Sequence, residues 1–171
     1  MKYSDRSKIR KNLFVQSKQN SSNMHTLHFI KQMVSYSQPY PVNDKNSLTA
    51  TVIDDDKGVV SILSDFLQIK GIQVIGKGYD GSEAVETYKK LRPDVVFLDV
   101  LMERYDGFYA FEKIRKIQPD AAIIMMTSDS SDIMREKLFS LNASAIIYKP
   151  YDIDEIVHVL NKISPVRAIT L

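Results

Sequence analysis

The 171-residue chain contains no cysteine. That removes disulfides, thiolate zinc sites, iron–sulfur clusters and cysteine nucleophiles together, and it suits a reducing compartment. No stretch approaches the ~18 consecutive apolar residues a membrane-spanning helix needs. No GxxxxGK[ST] occurs, so nucleotide hydrolysis on such a loop has no support. Of the three histidines, His25 and His28 are three apart but lie near the N-terminus, and no metal site is expected of them or of His158. What is present is a chain 44% hydrophobic and 26% charged. That supplies the core of one ordinary domain and excludes a wholly disordered chain, but it is too short for two large domains. The net charge of +2 hides a split. Residues 1–48 hold eight Lys/Arg against Asp5 and Asp44, giving +6. Residues 49–171 hold fifteen basic against nineteen acidic residues, giving −4.

Residues 1–47 read as a basic, largely disordered extension, rich in Ser, Asn, Gln and Lys and without glycine. Met24, Leu27, Ile30 and Val34 mark a short amphipathic helix over 22–36, which Pro39 and Pro41 stop. No apolar core of a secretory signal follows the positive start. Lys8, Arg10 and Lys11 lack an ordered frame, so a nucleic-acid contact is not expected.

From Leu48 the pattern alternates between strand and helix. Strands are expected over 48–53, 72–75, 95–98, 121–126 and 145–148, and helices over about 57–70, 81–91, 107–117, 131–141 and 152–163. Residues 164–171 form a tail. The third and fourth strands are unbroken apolar runs, as expected of strands buried on both faces. Five β/α units call for right-handed crossovers and a parallel sheet with helices on both faces, in the flavodoxin-like order 2-1-3-4-5.

In such sheets the site lies beyond the carboxyl ends of the strands. The strands end in Asp54-Asp55-Asp56, Gly76-Lys77-Gly78, Asp99, Thr127-Ser128 and Lys149-Pro150. Crowded carboxylates repel unless a cation neutralises them. Oxygen ligands alone, with positions left open, favour Mg²⁺ over other ions. A hydroxyl and a lysine facing that cluster suit a phosphoryl group, and one carboxylate then serves as nucleophile.

Val52-Ile-Asp54-Asp55, Val96-Phe-Leu-Asp99, Met125-Met-Thr127-Ser128 and Tyr148-Lys149-Pro150 resemble the receiver domain of two-component response regulators. The resemblance covers residues 48–163. It implies that Asp99 accepts a phosphoryl group from a histidine kinase or phosphotransfer protein. It also implies that Asp55, Asp99 and the Leu101 carbonyl bind Mg²⁺ directly, with Asp54 acting through water. Thr127 matches the switch hydroxyl, Lys149 the lysine paired with the phosphoryl charge, and Asp106-Gly107 the turn opening the third helix. Asp56 is expected to cap the first helix. The implied protein is a cytoplasmic signalling switch, not an enzyme beyond its own phosphoryl transfer and dephosphorylation. Eight residues after Ile163 are too few for an output domain, so output is expected through a partner protein.

Five positions stand out against the family pattern. Glu103 stands where Pro is usual after Met102, and Ser128 where Ala is usual. Ile146 stands where an aromatic is usual, and Tyr148 is expected on the opposite strand face, unable to replace it. Leu101 and Asp129 occupy the positions that tune dephosphorylation; an apolar Leu101 predicts slow loss of the phosphoryl group. Glu103 and Ile146 keep open an alternative, an interaction module that does not switch by phosphorylation.

Overall fold

The structure is a computed structural model and describes residues 47–163. The expected extension over 1–47, its helix at 22–36 and the tail over 164–171 therefore lie outside the described residues, apart from Ser47 itself. The elements alternate strictly: β1 (Thr49–Ile53), α1 (Lys57–Ile69), β2 (Gln73–Gly78), α2 (Gly81–Leu91), β3 (Val95–Asp99), α3 (Gly107–Ile117), β4 (Ile123–Thr127), α4 (Asp132–Ser140), β5 (Ala145–Tyr148) and α5 (Ile153–Ile163). The strands form one parallel sheet in the order β2-β1-β3-β4-β5, as expected.

The central strands are the apolar runs. Every residue of β3 and β4 is buried. Their side chains alternate between two helix-covered faces, so both faces stay apolar until the strands end in Asp99 and Thr127. On one face Ile53, Val96, Leu98, Ile123 and Met125 pack with Val85, Phe111, Ile114 and Leu138 from α2, α3 and α4.

Helix starts are fixed by carboxylate and hydroxyl caps. Asp56, Asp80, Asp106 and Ser131 each accept from backbone N–H groups in the first turn of α1, α2, α3 and α4. Asp152 does the same ahead of α5, accepting from Asp154 and Glu155. The cap role expected of Asp56 is what the geometry has, with its Oδ1 2.7 Å from the Gly58 N–H and 3.3 Å from that of Val59.

Several boundaries differ from expectation by a residue or more. β2 starts one residue later and runs on to Gly78, because Gly76 and Gly78 still pair with Thr51 and Ile53 across a register shift. A side chain at Gly76 would strike Thr87 and Leu91 of α2 at 2.6 and 2.7 Å, so these glycines are a close approach of helix to strand rather than a loop. β4 begins at Ile123, since Ala121 closes a turn onto Gln118, and it includes Thr127. Ser131 and Asp152 cap their helices instead of lying inside them.

Candidate functional site

Parallel register brings the strand ends into line. Ile53 is the neighbour of Leu98 in the β1–β3 pair, so Asp54 and Asp99 leave the sheet side by side. Asp99 neighbours Met126, which places Thr127 one step further out, and Thr127 neighbours Tyr148, one step before Lys149. The Asp54 N–H donates to the Gly78 carbonyl at 3.2 Å, holding the β1 end against β2. Asp54 Oδ1 accepts from the Asp56 N–H at 2.9 Å, which orients its carboxylate.

The carboxylates of Asp54, Asp55 and Asp99 offer oxygens that all lie within 4.8 Å of one another. Asp54 is 3% exposed and Asp99 4%, while Asp55 faces solvent. Lys149 Nζ reaches between the two buried acids and donates to Asp54 Oδ2 and Asp99 Oδ1, each at 2.6 Å. Burial pushes the Asp99 carboxyl above the ordinary carboxylate range; Asp54 adds to this, and Lys149 and the Leu101 N–H pull the other way. Burial pulls the Lys149 ammonium down, but the hydrogen bonds and charges of Asp54 and Asp99 outweigh it and hold the ammonium above its ordinary value. One ammonium between two buried carboxylates leaves net negative charge, and Asp55 adds more. An all-oxygen donor set with one solvent-facing member fits a hard divalent cation.

Thr127 is fully buried, and its Oγ1 accepts from the Asp129 N–H at 3.1 Å. Asp129 Oδ1 accepts in turn from the Ser131 N–H at 2.8 Å, and Ser131 caps α4. The hydroxyl is thus tied through two residues to the start of a helix. Lys149 N–H donates to the Thr127 carbonyl at 2.7 Å, locking β5 to β4 at the site. Leu101 lies two residues after Asp99 in the β3–α3 loop and is 50% exposed. Asp106 caps α3 by accepting from the Tyr109 N–H at 2.8 Å.

Every sequence-expected site residue therefore lies on one rim, but one orientation is corrected. Tyr148 lies on the same face as Ile146, not the opposite one. The two are two residues apart in β5, and side chains alternate with a period of two. Ile146 packs on the core beneath α3 and α4, and Arg135 of α4 lies over the Tyr148 ring at 5.7 Å. One neighbour was missed: Tyr151, half-buried, has its hydroxyl pKa pushed well up by burial and by Asp54 and Asp99. Its position two residues after Lys149 was the available signal.

Fold and rim together define a doubly wound α/β protein with a carboxylate cluster suited to a hard cation at the point where strand order reverses. The profile of the response regulator receiver domain matches residues 50–161. Chemotaxis protein CheY of Thermotoga maritima is 34% identical over 113 residues, 66% of this chain and 94% of that protein. Its Bacillus subtilis counterpart is 31% identical over 111 residues, 65% of this chain and 92% of that protein. The CheX–CheY–BeF3–Mg²⁺ complex from Borrelia burgdorferi has the same fold, with a TM-score of 0.64 at 24% identity over 68% of this chain and 88% of that chain. The chain belongs to the response regulator receiver domain family and is a phosphorylation-dependent switch of two-component signalling.

Proposed function

We propose that Asp99 is the phospho-acceptor, served by Lys149 and Thr127, with a histidine kinase or phosphotransfer protein as donor. The observation that carries this reading is the Lys149 ammonium held 2.6 Å from both Asp54 and Asp99. An Asp99 carboxylate oxygen attacks phosphorus; the new P–O bond forms as the donor P–N bond breaks, and the donor imidazole leaves. Lys149 neutralises the charge of the transferred group, and the Thr127 hydroxyl donates to one of its oxygens. Asp55, Asp99 and the Leu101 carbonyl would hold Mg²⁺, with Asp54 acting through water. The bound ion supplies positive charge against the phosphoryl oxygens.

The proposed output runs through the hydroxyl. When Thr127 turns to the phosphoryl group, its Oγ1 leaves the Asp129 N–H, and the turn that caps α4 loosens. The α4–β5–α5 face then changes its preference for a partner protein. No helix among the described residues is long and apolar enough to cross a membrane. The chain is proposed to act in the cytoplasm, with no catalysis beyond its own phosphoryl transfer and dephosphorylation.

Loss of the phosphoryl group is proposed to be slow. Leu101 offers no hydrogen bond to an attacking water, and the Asp129 carboxylate is already held by the Ser131 N–H. A half-life of seconds for the isolated phosphoprotein refutes this part. The main test incubates the chain with Mg²⁺ and acetyl phosphate or beryllofluoride. A one-to-one adduct on wild type and none on Asp99→Asn is expected; no adduct on wild type, or an undiminished one on the variant, overturns the assignment.

A further inference from the structure

The flank built by β2, α2 and α3 is charged unlike the rest of the molecule. Residues 49–171 sum to −4, yet β2, α2 and α3 together hold Lys77, Lys89, Lys90, Lys113, Arg115 and Lys116 against Glu83, Glu86 and Glu112, an excess of +3. Two grooves border the C-terminal half of α2. One, of about 370 Å³, lies between α2 and α3, with Val85, Tyr109 and Ile117 lining it beneath Lys89, Lys113 and Lys116. The other, of about 410 Å³, lies between α2 and β2, with Ile75 and Leu91 beneath Lys77 and Lys90. Glu86 borders both.

The lysines are available at little cost. Lys89 pairs with Glu86 at 2.7 Å and Lys116 pairs with Glu112, but all four side chains are more than half exposed. Such pairs contribute little and are readily exchanged. Beneath them lies apolar surface that the lysine stems cover only in part.

We propose that this flank docks an acidic amphipathic segment of a partner protein. Its apolar side chains enter the α2–α3 groove and its carboxylates take over the lysines. The charge pattern favours protein over nucleic acid. A continuous phosphate chain would set negative charge against Glu86 and Glu112, which sit among the lysines. The α2–α3 groove also has Val85, Tyr109 and Ile117 in its lining, and the cations lining both grooves are lysines, without the arginine fork suited to phosphates and base edges. The proposal does not draw on the phospho-acceptor chemistry at Asp99.

The test titrates the ¹⁵N-labelled full chain with a synthetic helical peptide carrying leucines at i, i+3, i+4, i+7 and glutamates elsewhere. Comparison probes are the same pattern with lysine for glutamate, a glutamate peptide without leucine, and poly-deoxythymidine. Expected are saturable shifts confined to α2, α3 and the adjoining end of β2 for the first peptide, and at least tenfold weaker binding by each comparison probe. Lys89→Glu/Lys113→Glu/Lys116→Glu is expected to weaken the first peptide at least tenfold. Lys89→Gln/Lys116→Gln, confined to exposed positions, is expected to weaken it severalfold with an unchanged melting temperature. No saturable binding, shifts centred elsewhere, insensitivity to the lysine changes, or equal or tighter binding of any comparison probe overturns the proposal.

Discussion

Gly107→Ala tests the packing that sets the site. An alanine Cβ at this position would lie 2.2 Å from the Asp99 carbonyl oxygen, 2.9 Å from Val100 Cα and 3.0 Å from the Asp99 carbonyl carbon. All three are backbone atoms, of the last residue of β3 and of Val100 just after it, so no side-chain rotation gives relief. The first turn of α3 must retreat by about 1 Å to reach ordinary contact. The Gly107 N–H donates to the Val100 carbonyl at 2.9 Å, and the Gly81 N–H grips the same loop at the Tyr105 carbonyl, 2.7 Å away. Retreat therefore costs overpacking of about 1–3 kcal/mol and a weakened hydrogen bond of about 1 kcal/mol. Reduced unfolded-state entropy returns about 0.4–1 kcal/mol. The net is a loss of about 1–3.5 kcal/mol, which for a domain of this size lowers the melting temperature by about 3–17 °C. Thermal unfolding by circular dichroism measures it, with Gly58→Ala as comparison. There the added Cβ meets only the end of the Asp56 side chain, at 3.0 Å, and the melting temperature is expected to hold or rise. A Gly107→Ala melting temperature equal to or above wild type refutes the reasoning.

Asp56→Ala removes the α1 cap and is expected to cost about 1 kcal/mol in chemical denaturation while the beryllofluoride adduct persists. Lys149→Met leaves the buried Asp54 and Asp99 without their shared ammonium and is expected to destabilise by about 3 kcal/mol. Added Mg²⁺ should then raise its melting temperature by more than it raises that of wild type, and an equal rise would contradict this. Asp65 has its carboxyl pKa raised by burial, with Lys77 offsetting part. A raised folded-state pKa means the charged form costs stability above it, and the cost disappears as pH falls below the ordinary value. Asp65→Asn should therefore stabilise at neutral pH, with the gain shrinking as pH falls through the carboxylate range; a gain that grows on acidification would be the wrong sign.

Most of the fold was legible because two periodicities dominate it. α2 over 81–91, α3 over 107–117 and β5 over 145–148 stand where apolar spacing and turn residues put them. β2 runs past its apolar residues: Gly76 and Gly78 carry no apolar signal, and their reason for being in the strand is the side of α2 pressed against them. The face of Tyr148 required only counting by two along β5. Its partner Arg135 lies in the preceding helix and no local pattern reveals it. The position of Tyr151 two residues after Lys149 marks it as near the site, but not as facing it, because past a strand end direction depends on how the chain turns.

The sequence by itself determined the order of elements and which residues stand at the carboxyl ends of the strands, since these follow from local spacing and from the parallel sheet that alternation demands. Tertiary structure alone decided which of those residues meet. Lys149 lies 95 residues from Asp54 and 50 from Asp99, and strand register brings its ammonium between them. It also decided that Thr127 is bound through Asp129 and Ser131 to α4, and that lysines from β2, α2 and α3 gather on one flank. Periodicity reports what each segment buries; which charges then share a pocket or a surface is set by how the buried faces pack.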